Sequence, residues 1–368
     1  ATQRAVAGAA DACDLAPGYI RAIAPYQPGK PIDELQRELG LSRVVKLASN
    51  ENPLGPSPKA LAALQKAVQG DPVELGRYPD GNGFILKQAL SQRFGLSLDG
   101  ITLGNGSNDV LELVARAFLG EGDDAIFAEH AFAVYPLAVQ AAGARGIAVP
   151  ARNFGHDLPA MAAAVTPATK VIFLANPNNP TGTWFEAADF TAFMAQVPTH
   201  VVVVLDEAYQ PFSSDTWLTE INRDPQANAQ VLLMRTLSKF GLAGVRIGYM
   251  LARTEVIAQL DKIRPPYNIS VLNAECALFA LEHADVFEKQ AQDICHERQR
   301  LSQRLAAFKD VTVYPSQANM MLLRLPGDDE AATRVFTALK SKNILVKNVS
   351  KMHPVLHHCL RITVGTST

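Results

Sequence analysis

A series of short, almost wholly apolar runs separated by longer amphipathic stretches constrains this chain more than any other feature. Between residues 44 and 251 the runs are "ITLG" (101–104), "AIFAE" (125–129), "GIAVP" (146–150), "VIFLANP" (171–177), "VVVVLD" (201–206), "VLLMRT" (231–236) and "IGYMLA" (247–252). They are rich in β-branched residues and too short for buried helices, so they read as strands. Helical spacing of apolar residues fills the gaps, over 107–119, 131–143 and 186–196. A strand that is apolar on both faces must be covered on both faces. The alternation therefore predicts an α/β fold with a mainly parallel central sheet between helices, and "VVVVL" as a central strand.

After residue 252 the pattern changes. Helices are expected over 254–264, 271–282, 285–308 and 329–341, with strands at 311–314, 318–325, 343–347 and 359–365. This mixture suits a smaller α+β domain. The 368 residues suffice for two domains at roughly 100–200 residues each. We expect an N-terminal arm and part of the small domain in 1–40, a large domain in 41–264 and a small domain in 265–368. The opening "ATQRAVAGAADACDLAPGY" has no continuous apolar core and is expected to be an arm rather than a signal peptide. No apolar run approaches the ~18 residues of a membrane helix. A formal net charge of −2 gives no basic field for nucleic acid or acidic lipid. Cys13, Cys276, Cys295 and Cys359 lack metal-type spacing and read as reduced thiols of a cytoplasmic protein.

Four segments at strand ends carry the chemistry, where open α/β sheets bind ligands. "LGNGSND" (103–109) places glycines before a helix start, whose free N–H groups suit a phosphate. "NPNNPTG" (176–182) holds its backbone with prolines and can aim a donor from Asn179. "LDEAYQPF" (205–212) puts Asp206 at the end of the most buried strand, where a carboxylate needs a cationic partner, with Tyr209 three residues on. "TLSKFGLAGVRIG" (236–248) sets Lys239 among small and apolar residues, which favours a free, nucleophilic amine for carbonyl chemistry. Thr236, Ser238 and Arg246 in the same stretch can bind a phosphate.

Asn, then Asp with Tyr three later, then Ser-Lys with a trailing Arg, each at a strand end, resembles the fold-type I pyridoxal-phosphate enzymes and, among them, the aminotransferases. The resemblance implies pyridoxal 5'-phosphate as cofactor and Lys239 as the residue that takes its aldehyde and later moves protons. It implies Asp206 on the pyridine nitrogen, Tyr209 and Asn179 on the ring oxygen, and Phe132 on the ring face. Ser107, Asn108, Thr236, Ser238 and Arg246 would form the phosphate cup.

Further stretches narrow the likeness. "YQPGKPIDELQRELGL" (26–41), "KLASNENPLGPSP" (46–58), "RYPDGNG" (77–83) and "CLRITVGT" (359–366) are similar to histidinol-phosphate aminotransferases. That family implies a homodimer with shared sites, in which Tyr78 reaches the neighbour's cofactor phosphate. It also implies substrate contacts from Tyr26, Asn50 and Arg361. One guanidinium can accept a phosphate or a carboxylate in turn, so Arg361 could serve both half-reactions. The family often has Arg-Asp where this chain has Lys347 and Asn348, and a lysine keeps the charge but loses the fork. The expected reaction moves an amino group from L-histidinol phosphate to 2-oxoglutarate in histidine biosynthesis, giving imidazole acetol phosphate and L-glutamate. Two alternatives share the pattern, an aromatic or broad-specificity aminotransferase and a phosphothreonine decarboxylase-type lyase. "MHPVLHH" (352–358) shows three histidines in a Pro-broken loop where no acidic partner is expected nearby, and no metal is expected there.

Overall fold

The computed structural model describes residues 15–26, 32–40, 44–56, 58–69 and 76–367. Residues 1–14 of the expected arm lie outside them, as does part of the 26–41 stretch. Twelve strands are present among the described residues. They are β1 (Val45–Leu47), β2 (Ile101–Gly104), β3 (Asp124–Ala128), β4 (Arg145–Val149), β5 (Thr169–Ala175), β6 (Val202–Asp206), β7 (Val231–Thr236), β8 (Gly248–Leu251), β9 (Thr312–Val313), β10 (Met320–Arg324), β11 (Ile344–Asn348) and β12 (Cys359–Thr363).

Seven strands form one sheet in the order β2-β8-β7-β6-β5-β3-β4. β8 is antiparallel to both neighbours and every other pair is parallel. Side chains along a strand alternate between faces. Ile172, Leu174, Val203 and Leu205 therefore enter one core, and Val171, Phe173, Ala175 and Val204 enter the other. This two-sided burial is the reason the runs read as continuously apolar. The registers set Ala175 beside Asp206 and Asp206 beside Met234. The C-terminal ends of β5, β6 and β7 thus finish together on one edge. The end of β2 and the start of β8 reach the same edge, where Gly248 pairs with Gly104 and Thr236.

The second sheet has the order β1-β11-β12-β10-β9. Its first strand corrects the division expected at residue 41. Val45–Leu47 pairs in parallel with Ile344–Val346 and belongs to the small sheet. The boundary expected at 265 shifts too, because Ala277 and Ala280 of the helix Val271–Glu282 pack into the core of the large sheet. Local periodicity finds such elements, but which core accepts them depends on long-range packing. The helix Ala284–Ala306 joins the two units by packing Ala291 and Ile294 against Tyr209, Phe212 and Met320.

Candidate active site

The shared strand edge opens into a cavity of about 670 Å³ facing the small sheet. It is lined by Tyr26, Asn50, Ser107, Asn108, Phe132, Asn179, Asp206, Tyr209, Thr236, Ser238, Lys239, Arg246, Lys347 and Arg361. Every site residue expected from sequence lines it except Tyr78. That residue is 83% exposed and stacks on Tyr267 with ring centroids 4.8 Å apart.

One end of the cavity gathers groups that suit an oxyanion. The loop after β2 brings Ser107 to the start of the twelve-residue helix Ser107–Phe118, whose first N–H groups have no partner within the helix. Gly106 adopts φ 88°, and a side chain there would meet the Arg246 guanidinium at 1.9 Å. Gly248 packs so closely that an added Cβ would lie 2.5 Å from the Gly106 carbonyl carbon. The two glycines thus let Arg246 and the helix start converge on one small volume. Thr236 Oγ1 donates to the Ile247 carbonyl at 2.9 Å and accepts from the Ser238 N–H at 3.1 Å, which fixes the turn between β7 and Lys239.

The middle is organised by Asp206. Its carboxyl is buried and accepts from Tyr135 Oη at 2.6 Å and from the Ala208 N–H at 2.9 Å. Burial pushes its pKa up to about 6, with the two hydrogen bonds opposing the rise. Asp206 has no ion-pair partner among the described residues, which leaves the carboxylate short of a cation that a protonated ring nitrogen would supply. Lys239 Nζ makes one long contact, 3.4 Å to the Asn50 carbonyl, and lies 5.2 Å from the Tyr209 ring centroid.

The donors opposite are set by the small sheet. Arg361 Nη1 donates to Asn179 Oδ1 at 2.7 Å, which leaves the Asn179 NH2 group as the donor available to a ligand in the cavity that both residues line. Asn50 Nδ2 donates to Tyr209 Oη at 2.9 Å, which leaves the phenol proton to be given elsewhere. Thr363 at the end of β12 bonds both the Asn50 amide N–H and its Oδ1 at 3.0 Å. Asn50 therefore ties the small sheet to the cavity floor. Lys347 and Arg361 face each other in register on β11 and β12. Burial lowers the pKa of both, and the neighbouring Arg361 charge adds to the effect on Lys347. Neither has a carboxylate partner among the described residues, although Arg361 is only 9% exposed. Two uncompensated cations on one wall call for an anionic ligand.

Taken together, the residues suit a phosphorylated pyridine aldehyde. The oxyanion end would take the phosphate, Asp206 the ring nitrogen, Asn179 and Tyr209 the ring oxygen, and Lys239 the aldehyde.

Tyr135 is the main residue that sequence reasoning missed. It follows Phe132 by three positions and has the apolar spacing of a core aromatic, so nothing local marks its hydroxyl. The histidine loop needs a correction. The structure places Asp329 3.8 Å from His357 Nδ1 and 3.5 Å from His358 Nε2, and Glu129 3.5 Å from His353 Nε2. The acidic partners exist, but they come from the turn before the helix Ala331–Ser341 and from the residue that follows β3.

The fold and this cavity define a class, and comparison with known proteins agrees. The chain belongs to the family described as aminotransferase class I and II, whose model matches residues 42–368. It is 47% identical to histidinol-phosphate aminotransferase 2 of Ralstonia nicotianae over 95% of this chain and 92% of that one. It is 46% identical to histidinol-phosphate aminotransferase 2 of Pseudomonas fluorescens over 95% and 93%. The structure of the histidinol-phosphate aminotransferase from Sinorhizobium meliloti in complex with pyridoxal-5'-phosphate superposes with a TM-score of 0.83, 27% identity and coverage of 95% and 93%. Within its class, the chain groups with the histidinol-phosphate aminotransferases.

Proposed function

We propose that this chain, with pyridoxal 5'-phosphate as cofactor, transfers the amino group of L-histidinol phosphate to 2-oxoglutarate, giving imidazole acetol phosphate and L-glutamate. The observation that carries the substrate reading is the paired cation wall of Lys347 and Arg361 in the same cavity as Lys239 and Asp206. The bound cofactor supplies an aldehyde carbon and an electron-withdrawing ring. Asp206 would hold a negative charge against the ring nitrogen. Tyr209 and Asn179 would donate to the ring oxygen, and Phe132 would cover the ring face. Arg246, Ser107, Asn108, Thr236 and Ser238 would fix the phosphate. Lys239 Nζ would take the proton from the substrate Cα and deliver it to the carbon that the cofactor's aldehyde supplies, and would move it the opposite way in the second half-reaction. Arg361 and Lys347 hold the phosphate ester in one half-reaction and a carboxylate in the other, with Tyr26 and Asn50 on the substrate side.

Single-turnover absorbance tests the reading. Protein carrying its yellow cofactor bleaches on addition of L-histidinol phosphate, and 2-oxoglutarate restores the colour. In the same experiment Arg361→Lys raises the apparent KM for histidinol phosphate and for glutamate alike, by about 10- to 100-fold, because a point charge replaces a fork. Bleaching by phenylalanine but not histidinol phosphate would transfer the assignment to an aromatic aminotransferase. Release of carbon dioxide without acceptor would mark a lyase.

The active unit in this reading is a homodimer. Tyr78, Phe84, Ile85 and Tyr267 are exposed by 83, 48, 61 and 49%, an apolar area suited to a second subunit. Sedimentation is expected to give the mass of two chains. Tyr78→Ala is expected to release cofactor about 10-fold faster, as for a lost hydrogen bond to a charged group. Mixing Tyr78→Ala chains with inactive Lys239→Ala chains then restores tight sites, and failure to restore them would exclude sharing across subunits. A place in histidine biosynthesis puts the protein in the cytoplasm, which cell fractionation checks. No helix among the described residues is long and apolar enough to cross a membrane.

A further inference from the structure

We infer that Tyr135 is a positioning residue that keeps Asp206 ionised and aimed at the cofactor's ring nitrogen. The inference rests on the cofactor reading above and concerns a residue outside the set expected from sequence. Three observations carry it. The Tyr135 hydroxyl lies 2.6 Å from Asp206 Oδ2, while the Ala208 N–H occupies Oδ1 at 2.9 Å. Tyr135 is fully buried. Its ring is clamped, stacked on Phe173 at 5.1 Å and 12° and set edge-on to Phe132 at 5.8 Å and 89°. These contacts restrain the side chain and with it the hydroxyl against the carboxyl.

The chemistry follows from competition for one proton. A carboxylate facing a pyridine nitrogen can keep the proton or leave it on nitrogen. Each hydrogen bond donated to the carboxylate makes it less basic and moves the balance towards nitrogen. Burial and the adjacent Asp206 hold the Tyr135 phenol in its protonated form, so it acts only as a donor. Without that donor the carboxyl retains the proton more strongly, and the neutral ring withdraws electrons less well. Because Tyr135 also touches Phe132, one side chain fixes both the carboxylate and the aromatic that covers the ring.

Tyr135→Phe tests this, since it keeps both ring contacts. Full-length wild-type and variant chains are loaded with pyridoxal phosphate and, separately, with an analogue that has carbon in place of the ring nitrogen. The variant is expected to bind pyridoxal phosphate about 10-fold more weakly but the carbon analogue as well as wild type does. With pyridoxal phosphate its kcat falls about 10-fold and KM stays put. The pH midpoint of the cofactor absorbance also shifts in the variant. Equal weakening for both ligands, or none for either, overturns the inference. Phe173→Leu disturbs the packing without touching the hydroxyl and must weaken both ligands alike. If wild type binds neither ligand, the cofactor reading itself fails, which is a separate outcome.

Discussion

Replacing Lys239 with alanine is expected to lower turnover by at least about 10⁴-fold while the chain still takes up its cofactor. General-base transfer by a placed side chain is worth about 10²–10⁴-fold, and capture of the aldehyde adds to it. Cofactor uptake survives because Asp206, Arg246 and the helix start at Ser107 lie on other elements. The fold survives as well, since among the described residues the Lys239 ammonium makes one long hydrogen bond, 3.4 Å to Asn50, and a 5.2 Å approach to the Tyr209 ring, and forms no salt bridge. Stopped-flow absorbance with L-histidinol phosphate, beside a thermal melt, checks both halves. Repeated turnover in the variant would remove Lys239 from the mechanism. A melt collapsed to the unfolded baseline would show that the lysine is structural.

Asp206→Asn should move activity and stability in opposite directions. Turnover should fall by about 10³-fold, because removing one member of a buried charge pair costs about 2–5 kcal/mol. Cofactor-free protein should become more stable at neutral pH. The carboxyl titrates at about 6 in the fold against 3.8 when exposed, so ionising it in place is unfavourable. For an acid with a raised folded value, the native state binds more protons than the unfolded state across that window. Stability therefore falls as pH rises from about 4 to about 6 and is level above. The penalty at pH 7 is about 3 kcal/mol, from about 1.4 kcal/mol per pKa unit. Asparagine removes it, so the variant's advantage is present at pH 7 and gone at pH 4. Denaturant unfolding of the cofactor-free chains at the two pH values measures this. An advantage of equal size at both would mean that the Asp206 charge carries no strain. Such a loss of stability at a functional charge is a common trade between activity and folding.

Legibility divided along a physical line. Strands of the large sheet are read within a residue or two of their ends, as with "VVVVLD" and Val202–Asp206, because burial on both faces leaves an unbroken apolar run. Lys239, Asp206 and Asn179 were legible as candidates because each lies at, or within four residues after, the end of such a run inside a short motif. The reversed direction of β8 was not, since an apolar run has no arrow. The transfer of β1 to the small sheet was not legible either, because its partner β11 lies about 300 residues away in the chain. The Tyr135 hydroxyl met Asp206 across 71 residues, and Asn50 met Thr363 across 313.

The order of residues alone determined the alternation of elements, the chemical groups available at the strand ends and the likeness to a family. These depend on spacing along the chain and on side-chain type. The tertiary structure decided which donors take the two oxygens of Asp206, that the Asn179 oxygen accepts from Arg361 and which cations lack a carboxylate partner among the described residues. Those are contacts between distant segments, set by how two sheets pack, and no local pattern encodes them.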